Sequence, residues 1–124
     1  MSQALSILLL EDETTYAQLI ELFLLDHNYQ VQKAHSLAEA RNLLQQHFDV
    51  IITDMNLPDG DGVQFINSVR QQWPDIAVIF MTGFLKKTET LNNLFSKNKI
   101  IFLQKPFSLN QLLEEIALLT LSSF

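Results

Sequence analysis

The chain of 124 residues contains no cysteine, which excludes a disulfide framework and any thiolate metal site and is compatible with a reducing cytoplasm. It has no apolar run near the ~20 residues that a membrane-spanning helix requires. Its N-terminus, Met1-Ser2-Gln3-Ala4, has no basic stretch leading into a signal-peptide core. A soluble, cytoplasmic protein that makes no membrane contact is therefore expected. Basic residues are few, 8 Lys and Arg against 14 Asp and Glu for a net charge of −6, and no cluster of them is large enough to engage phosphate backbones. Without a basic footprint for phosphate backbones, direct nucleic-acid binding is not expected. There is no repeat, linker or low-complexity segment, and Gly60 and Gly62 lack the strand-to-helix fingerprint of a nucleotide site. What remains is a chain that is 48% hydrophobic, enough for one core, so residues 1–124 are expected to form one domain.

Four apolar runs stand out: Leu5 to Leu10, Val50 to Thr53, Ile76 to Met81 and Ile100 to Leu103. Each reads as a strand buried on both faces. A shorter strand is expected at Gln30 to Ala34. Helical spacing of apolar residues occupies the intervals: Tyr16, Leu19, Ile20, Phe23, Leu24 and His27 after a cap at Thr14 or Thr15, and Leu37, Ala40, Leu43, Leu44 and His47 after Ser36. Val63, Phe65, Ile66 and Val69 form a third set, closed by Trp73-Pro74. A fourth, weakly patterned helix is expected over Leu85 to Lys97, and Ser108 caps a fifth carrying Leu109, Leu112, Leu113, Ile116 and Leu119. Five strands alternating with five helices predict an α/β fold: a doubly wound three-layer α/β/α sandwich of the flavodoxin-like type. Its parallel sheet would have the order 2-1-3-4-5.

Glu11, Asp12, Asp54, Thr82 and Lys105 each lie at the C-terminal end of one of these runs or just beyond it. In a parallel sheet those ends share one edge, the place where open α/β sheets bind ligands. Three carboxylates brought together repel, by about 4 kcal/mol for one pair at ~4 Å and an effective dielectric near 20. A magnesium ion held by oxygen ligands would offset this, and Lys105 brings a second positive charge. Asp54, ending the central strand, is placed as a nucleophile toward a phosphoryl donor, a reaction that runs on positioning and charge neutralisation and needs no general base.

These residues resemble those of the receiver domains of bacterial two-component response regulators, from Ile7 to the last helix. Ile7-Leu8-Leu9-Leu10-Glu11-Asp12-Glu13 looks like the first strand and acidic pair, and Asp54-Met55-Asn56-Leu57-Pro58-Asp59-Gly60-Asp61-Gly62 like the phosphoacceptor and its loop. Thr82-Gly83 and Lys105-Pro106-Phe107 complete the set. The resemblance implies that Asp54 accepts a phosphoryl group from a histidine kinase or histidine phosphotransfer protein, with Mg2+ bound by Asp12, Asp54, the Asn56 carbonyl and, through water, Glu11. It implies that Thr82 binds a phosphoryl oxygen and that Phe102 follows Thr82 inward as a switch residue. The responding surface would be Lys86 to Lys97, Lys99 to Leu103 and Ser108 to Leu121. Its partner would be a downstream effector or an output domain outside this chain. Such a domain catalyses only its own phosphorylation and dephosphorylation, as a monomer or a weak phosphorylation-dependent dimer.

The sequence departs from the family pattern in three places. Glu11 stands where aspartate is more common. Lys99-Ile100 replaces the acidic dipeptide of receivers that dimerise through salt bridges on this face. Lys97-Asn98-Lys99 replaces a small-residue pair. Taken singly, the acids near residue 12 could favour a helix N-terminus, Asp54 could be a cap, Phe102 a core aromatic and Lys105 a solvated lysine. It is the set that argues for a site. His27, His35 and His47 have no ligand spacing and read as helix-end or surface residues. Two other classes compete: a constitutive receiver-like interaction module, which would need a broken site, and a magnesium phosphatase or phosphotransferase, which would carry an acid where Asn56 stands.

Overall fold

The computed structural model describes residues 4–83 and 99–121. Along the chain it contains β1 (Ser6–Leu10), α1 (Thr14–Asp26), β2 (Gln30–Ala34), α2 (Leu37–Leu43) and β3 (Val50–Asp54). There follow a short hairpin of β4 (Asn56–Leu57) and β5 (Gly60–Asp61), α3 (Gly62–Gln72), β6 (Ala77–Thr82), β7 (Ile100–Gln104) and a C-terminal helix (Leu109–Leu121). The fourth helix expected from sequence lies outside the described residues.

The five long strands form one parallel sheet in the order β2-β1-β3-β6-β7, the order predicted from sequence. Side chains alternate across it. Leu8, Leu10, Ile51, Val78, Phe80 and Ile100 face one layer, packing with Leu37, Ala40, Phe65, Ile66 and Val69 of α2 and α3. Ile7, Leu9, Val50, Ile52, Ile79, Met81 and Leu103 face the other, against Ala17, Ile20 and Leu24 of α1 and Leu112, Ile116 and Leu119 of the C-terminal helix. Each fully buried aliphatic side chain contributes about 1.5–3 kcal/mol, so these two layers hold the sheet rigid between them. The interior strand β6 is buried along its whole length, while β2, an edge strand, alternates exposed and half-buried positions from Gln30 to Lys33.

Several details differ from the sequence reading, each for a physical reason. The cap of α1 is Glu13 rather than Thr14 or Thr15: its carboxylate accepts from Thr15 N at 3.1 Å and Tyr16 N at 2.8 Å, and a charged acceptor suits the positive helix end. Leu19, expected in the apolar face of α1, is 52% exposed because Ala17, Ile20 and Leu24 take the inward positions. The fourth long strand starts one residue after Ile76, at Ala77, and ends at Thr82 as expected, and β7 runs to Gln104, just before Lys105-Pro106. Ser36 and Ser108 cap as expected, accepting from Glu39 N at 3.2 Å and Gln111 N at 3.0 Å.

The loop after Asp54 is more ordered than its turn-rich sequence suggests. Its two strands pair Asn56 with Asp61 and Leu57 with Gly60, around Pro58 and Asp59. The Asp59 carboxylate accepts from Leu37 N at 2.9 Å and Ala38 N at 3.2 Å, capping α2 from across the chain. These backbone donors hold the Asp59 carboxyl below its ordinary value of 3.8. A depressed carboxylate stabilises the fold above its unfolded-state pKa, and that contribution is lost as pH falls through the folded-state value. Asp59→Ala is therefore expected to lower the thermal midpoint at neutral pH, with the gap to wild type closing in acid. Melting curves across that range check it, and a gap that persists below the folded-state pKa would assign the loss to something other than the charge.

Candidate functional site

Sheet order sets the site. From β1 the chain winds outward to β2, and then returns to the other side of β1 to form β3, so the ends of β1 and β3 flank a crevice where the winding reverses. Leu10 is in register with Thr53, which places Glu11 and Asp54 side by side as the next residues on adjacent strands. The ladder continues past the strand ends: Glu11 N donates to Ala34 O at 3.0 Å, Met55 N to Met81 O at 3.1 Å and Lys105 N to Thr82 O at 2.6 Å. The backbone at Glu11, Asp54, Thr82 and Lys105 is thus tied to a neighbouring strand.

Glu11, Asp12 and Asp54 each offer a carboxylate oxygen within 4.8 Å of the others. Glu11 is only 1% exposed and Asp12 is open to solvent. Lys105 reaches in from the loop after β7, its Nζ donating to Glu11 Oε1 at 2.9 Å and Asp54 Oδ2 at 3.1 Å. Glu13 N donates to Glu11 Oε2 at 3.0 Å, so both Glu11 oxygens are engaged. Burial pushes the Glu11 carboxyl up, and the Lys105 and Glu13 hydrogen bonds only partly offset it. Burial also works against the Lys105 ammonium, but its hydrogen bonds to Glu11 and Asp54 outweigh that cost and the net shift is upward. Lys105 therefore stays charged at neutral pH, as neutralising clustered carboxylates requires.

Thr82 is buried at the end of β6, with Asp54 in register with the preceding Met81. Asn56 is exposed at the start of β4, two residues past Asp54. All the acids and Lys105 thus meet as the sequence reading required, and Thr82 lies at the same sheet edge. Phe102 sits apart from them within β7, half-buried, its ring stacked on that of Phe80 at 5.2 Å and 17°.

Three features escaped the sequence reading. Gly62 N donates to Met55 O at 2.8 Å, and a Cβ on Gly62 would overlap the Asp54 carbonyl oxygen, so glycine here permits α3 to start against the end of β3. His35 Nδ1 lies 3.0 Å from the Glu11 carbonyl oxygen. The Tyr16 ring lies beneath Lys105, its centroid 5.0 Å from Nζ. Among these, only Gly62 carried a signal, as a glycine at a helix start in a loop already rich in turn residues.

The family described as the response regulator receiver domain matches residues 7–117 of the chain. The chain belongs to this family. Among curated relatives, the receiver resembles the response regulator PilR of Pseudomonas aeruginosa, 32% identical over 111 residues that are 89% of this chain and 25% of PilR. It also resembles the KDP operon transcriptional regulatory protein KdpE of Escherichia coli, 31% identical over 110 residues, 86% of this chain and 47% of KdpE. The chain thus spans between a quarter and a half of the length of these relatives. Among solved structures, the non-phosphorylated HemR receiver domain of Leptospira biflexa superposes with a TM-score of 0.83 at 28% identity, covering 93% of each chain. The chemotaxis response regulator CheY4 of Vibrio cholerae gives 0.82 at 26%, covering 95% of this chain and 99% of that one. Receiver domains are signalling domains of two-component systems that work with histidine kinases and output domains and bind Mg2+ at an acidic pocket, and this receiver carries such an acidic cluster. Among its described residues, no helix is long and apolar enough to cross a membrane.

Proposed function

We propose that this receiver is a phosphorylation switch in which Asp54 takes a phosphoryl group from a phosphohistidine on a histidine kinase or histidine phosphotransfer protein. The observation that carries the reading is the bridge from Lys105 Nζ to Glu11 and Asp54, with Asp12 beside them, at the switch point of the sheet. Lys105 holds Asp54 Oδ2, and Oδ1 has no hydrogen bond among the described residues, so Oδ1 is the oxygen available to attack. As its bond to phosphorus forms, the P–N bond of the donor breaks. The imidazole leaves with the electron pair and takes a proton from solvent. Lys105 and the Thr82 hydroxyl then hold phosphoryl oxygens, and water later attacks phosphorus to return the carboxylate and release phosphate.

The donor set suits Mg2+: every candidate ligand is an oxygen, and the charge is strongly negative. Asp12, Asp54 and the Asn56 carbonyl would hold the ion directly, with Glu11, whose oxygens are both engaged, acting through water. Bound there, Mg2+ supplies charge neutralisation for the carboxylates and the incoming phosphoryl oxygens.

Phosphorylation adds charge and acceptor oxygens that draw Thr82 and Lys105 into a new arrangement. Phe102, two strand positions before Gln104, the register partner of Thr82, is the side chain proposed to follow. The affected surface comprises Lys99 to Leu103, Ser108 to Leu121 and the stretch Lys86 to Lys97, which lies outside the described residues, and it would change affinity for an effector or output domain. Asn56, in place of a second acid after the nucleophile, argues against turnover of small phosphate esters.

Intact-mass spectrometry after incubation with Mg2+ and acetyl phosphate tests this reading. Wild type is expected to gain one phosphoryl adduct and Asp54→Ala none. An adduct of equal yield in the variant would place the acceptor elsewhere, and no adduct on wild type would favour a constitutive interaction module.

A further inference from the structure

Lys105 is a long side chain that must keep its charge at one point, and an ammonium has three N–H donors. Two are committed, to Glu11 Oε1 at 2.9 Å and Asp54 Oδ2 at 3.1 Å. The remaining side of Nζ faces the Tyr16 ring, whose centroid is 5.0 Å away, inside the ~6 Å range over which a ring face attracts a cation. Tyr16 is itself held. Its backbone N donates to the Glu13 carboxylate at 2.8 Å in the first turn of α1, and the Phe107 ring packs against its ring at 6.4 Å and 63°. Tyr16, Glu13, Lys105 and Pro106 line a cleft of about 250 Å3 that opens beside the acids. Without the ring, Nζ would border this open space with only its two carboxylate contacts to hold it.

We propose that Tyr16 is a positioning residue for phosphoryl transfer, its ring face fixing the Lys105 ammonium against Glu11 and Asp54 and excluding water from its outer side. The inference rests on the phosphoacceptor reading of Asp54 and extends it to a residue that acts through Lys105. Its chemistry lies in the π face rather than the hydroxyl. Burial pushes the Tyr16 hydroxyl pKa up, so the ring stays neutral and its face keeps the full attraction for a cation.

Two measurements on the full chain test it. The first uses metal-free protein and needs no phosphorylation: the Lys105 Cε protons should show an upfield ring-current shift in the NMR spectrum of wild type and Tyr16→Phe that is lost in Tyr16→Leu. The second is the rate of adduct formation with acetyl phosphate and Mg2+. A cation–π contact of ordinary strength predicts that Tyr16→Leu slows the reaction by about fivefold, while Tyr16→Phe stays within about twofold of wild type. A merely structural role is separated by repeating Tyr16→Leu in a Lys105→Met background, where the further loss should vanish if the ring acts through the ammonium. Wild-type rate in Tyr16→Leu, or an equal loss with and without Lys105, would overturn the inference and leave the phosphoacceptor reading standing. Failure of wild type to form any adduct would overturn both.

Discussion

Lys105→Met is expected to slow phosphoryl transfer to Asp54 by about 100-fold. The ammonium is the cation that the structure aims at both carboxylates, and loss of one preorganised charge stabiliser in a site of this kind costs about 10²–10³ in rate. Methionine retains most of the apolar stem, so the packing against Tyr16 and Pro106 suffers least. The same variant should change stability in a pH-dependent way. Glu11 is 1% exposed and burial already pushes its carboxyl up; without Lys105 it has lost a principal offsetting partner and rises further. A carboxyl whose folded-state pKa lies above the unfolded value destabilises the fold as pH rises between the two, and the penalty is absent below both. The variant should therefore be less stable than wild type at neutral pH, by about 1.5–3 kcal/mol for a charged hydrogen bond lost beside a buried carboxylate. That difference should shrink in acid. Urea unfolding at several pH values, paired with the intact-mass rate assay, checks both halves. A variant that phosphorylates at the wild-type rate would remove Lys105 from the mechanism.

Gly62→Ala should destabilise the fold by about 2–3 kcal/mol, although alanine is the better helix former. In an exposed helix interior the same change would stabilise by about 1 kcal/mol. Here the added Cβ would overlap Asp54 O and meet Met55 O at 3.2 Å and Met55 Cα at 3.3 Å. All three are backbone atoms of the strand end that carries Asp54, and none can rotate away. Relief requires moving either α3 or the Asp54 peptide, and the Gly62 N to Met55 O bond at 2.8 Å ties the two together. The variant should therefore phosphorylate more slowly as well as unfold at lower denaturant. Urea titration gives the first result and the acetyl phosphate assay the second. Unchanged stability would mean that the loop yields at little cost and that glycine serves another purpose there.

The sequence disclosed the layers of the fold because Ile7 to Leu10, Val50 to Ile52 and Val78 to Met81 are apolar at every position, as strands covered on both faces must be. From strand order alone it also followed that Glu11 and Asp54 would be neighbours. What it hid were the contacts that depend on where side-chain ends fall. Glu13 looked like one more acid of the cluster and is the cap of α1, since a carboxylate two or three residues before a free N–H competes well with the hydroxyls of Thr14 and Thr15. Asp59 read as a turn residue because its partners, Leu37 N and Ala38 N, are 22 and 21 positions away in sequence. Tyr16 fitted the apolar face of its helix, and nothing in the spacing separated a core tyrosine from one lying under a lysine 89 residues later.

The bonds that extend the sheet beyond Leu10, Asp54 and Gln104 bear on how such a domain changes over generations. Glu11, Asp54 and Lys105 hang from peptides whose hydrogen bonds to a neighbouring strand are made by main-chain atoms, so exchanging one of these side chains leaves that bond in place. Chemistry and architecture are thus separately heritable. A lineage can lose an acid from the rim and keep a folded domain, free to be recruited as a passive scaffold, and the reverse path back to a responsive one needs only the return of a side chain.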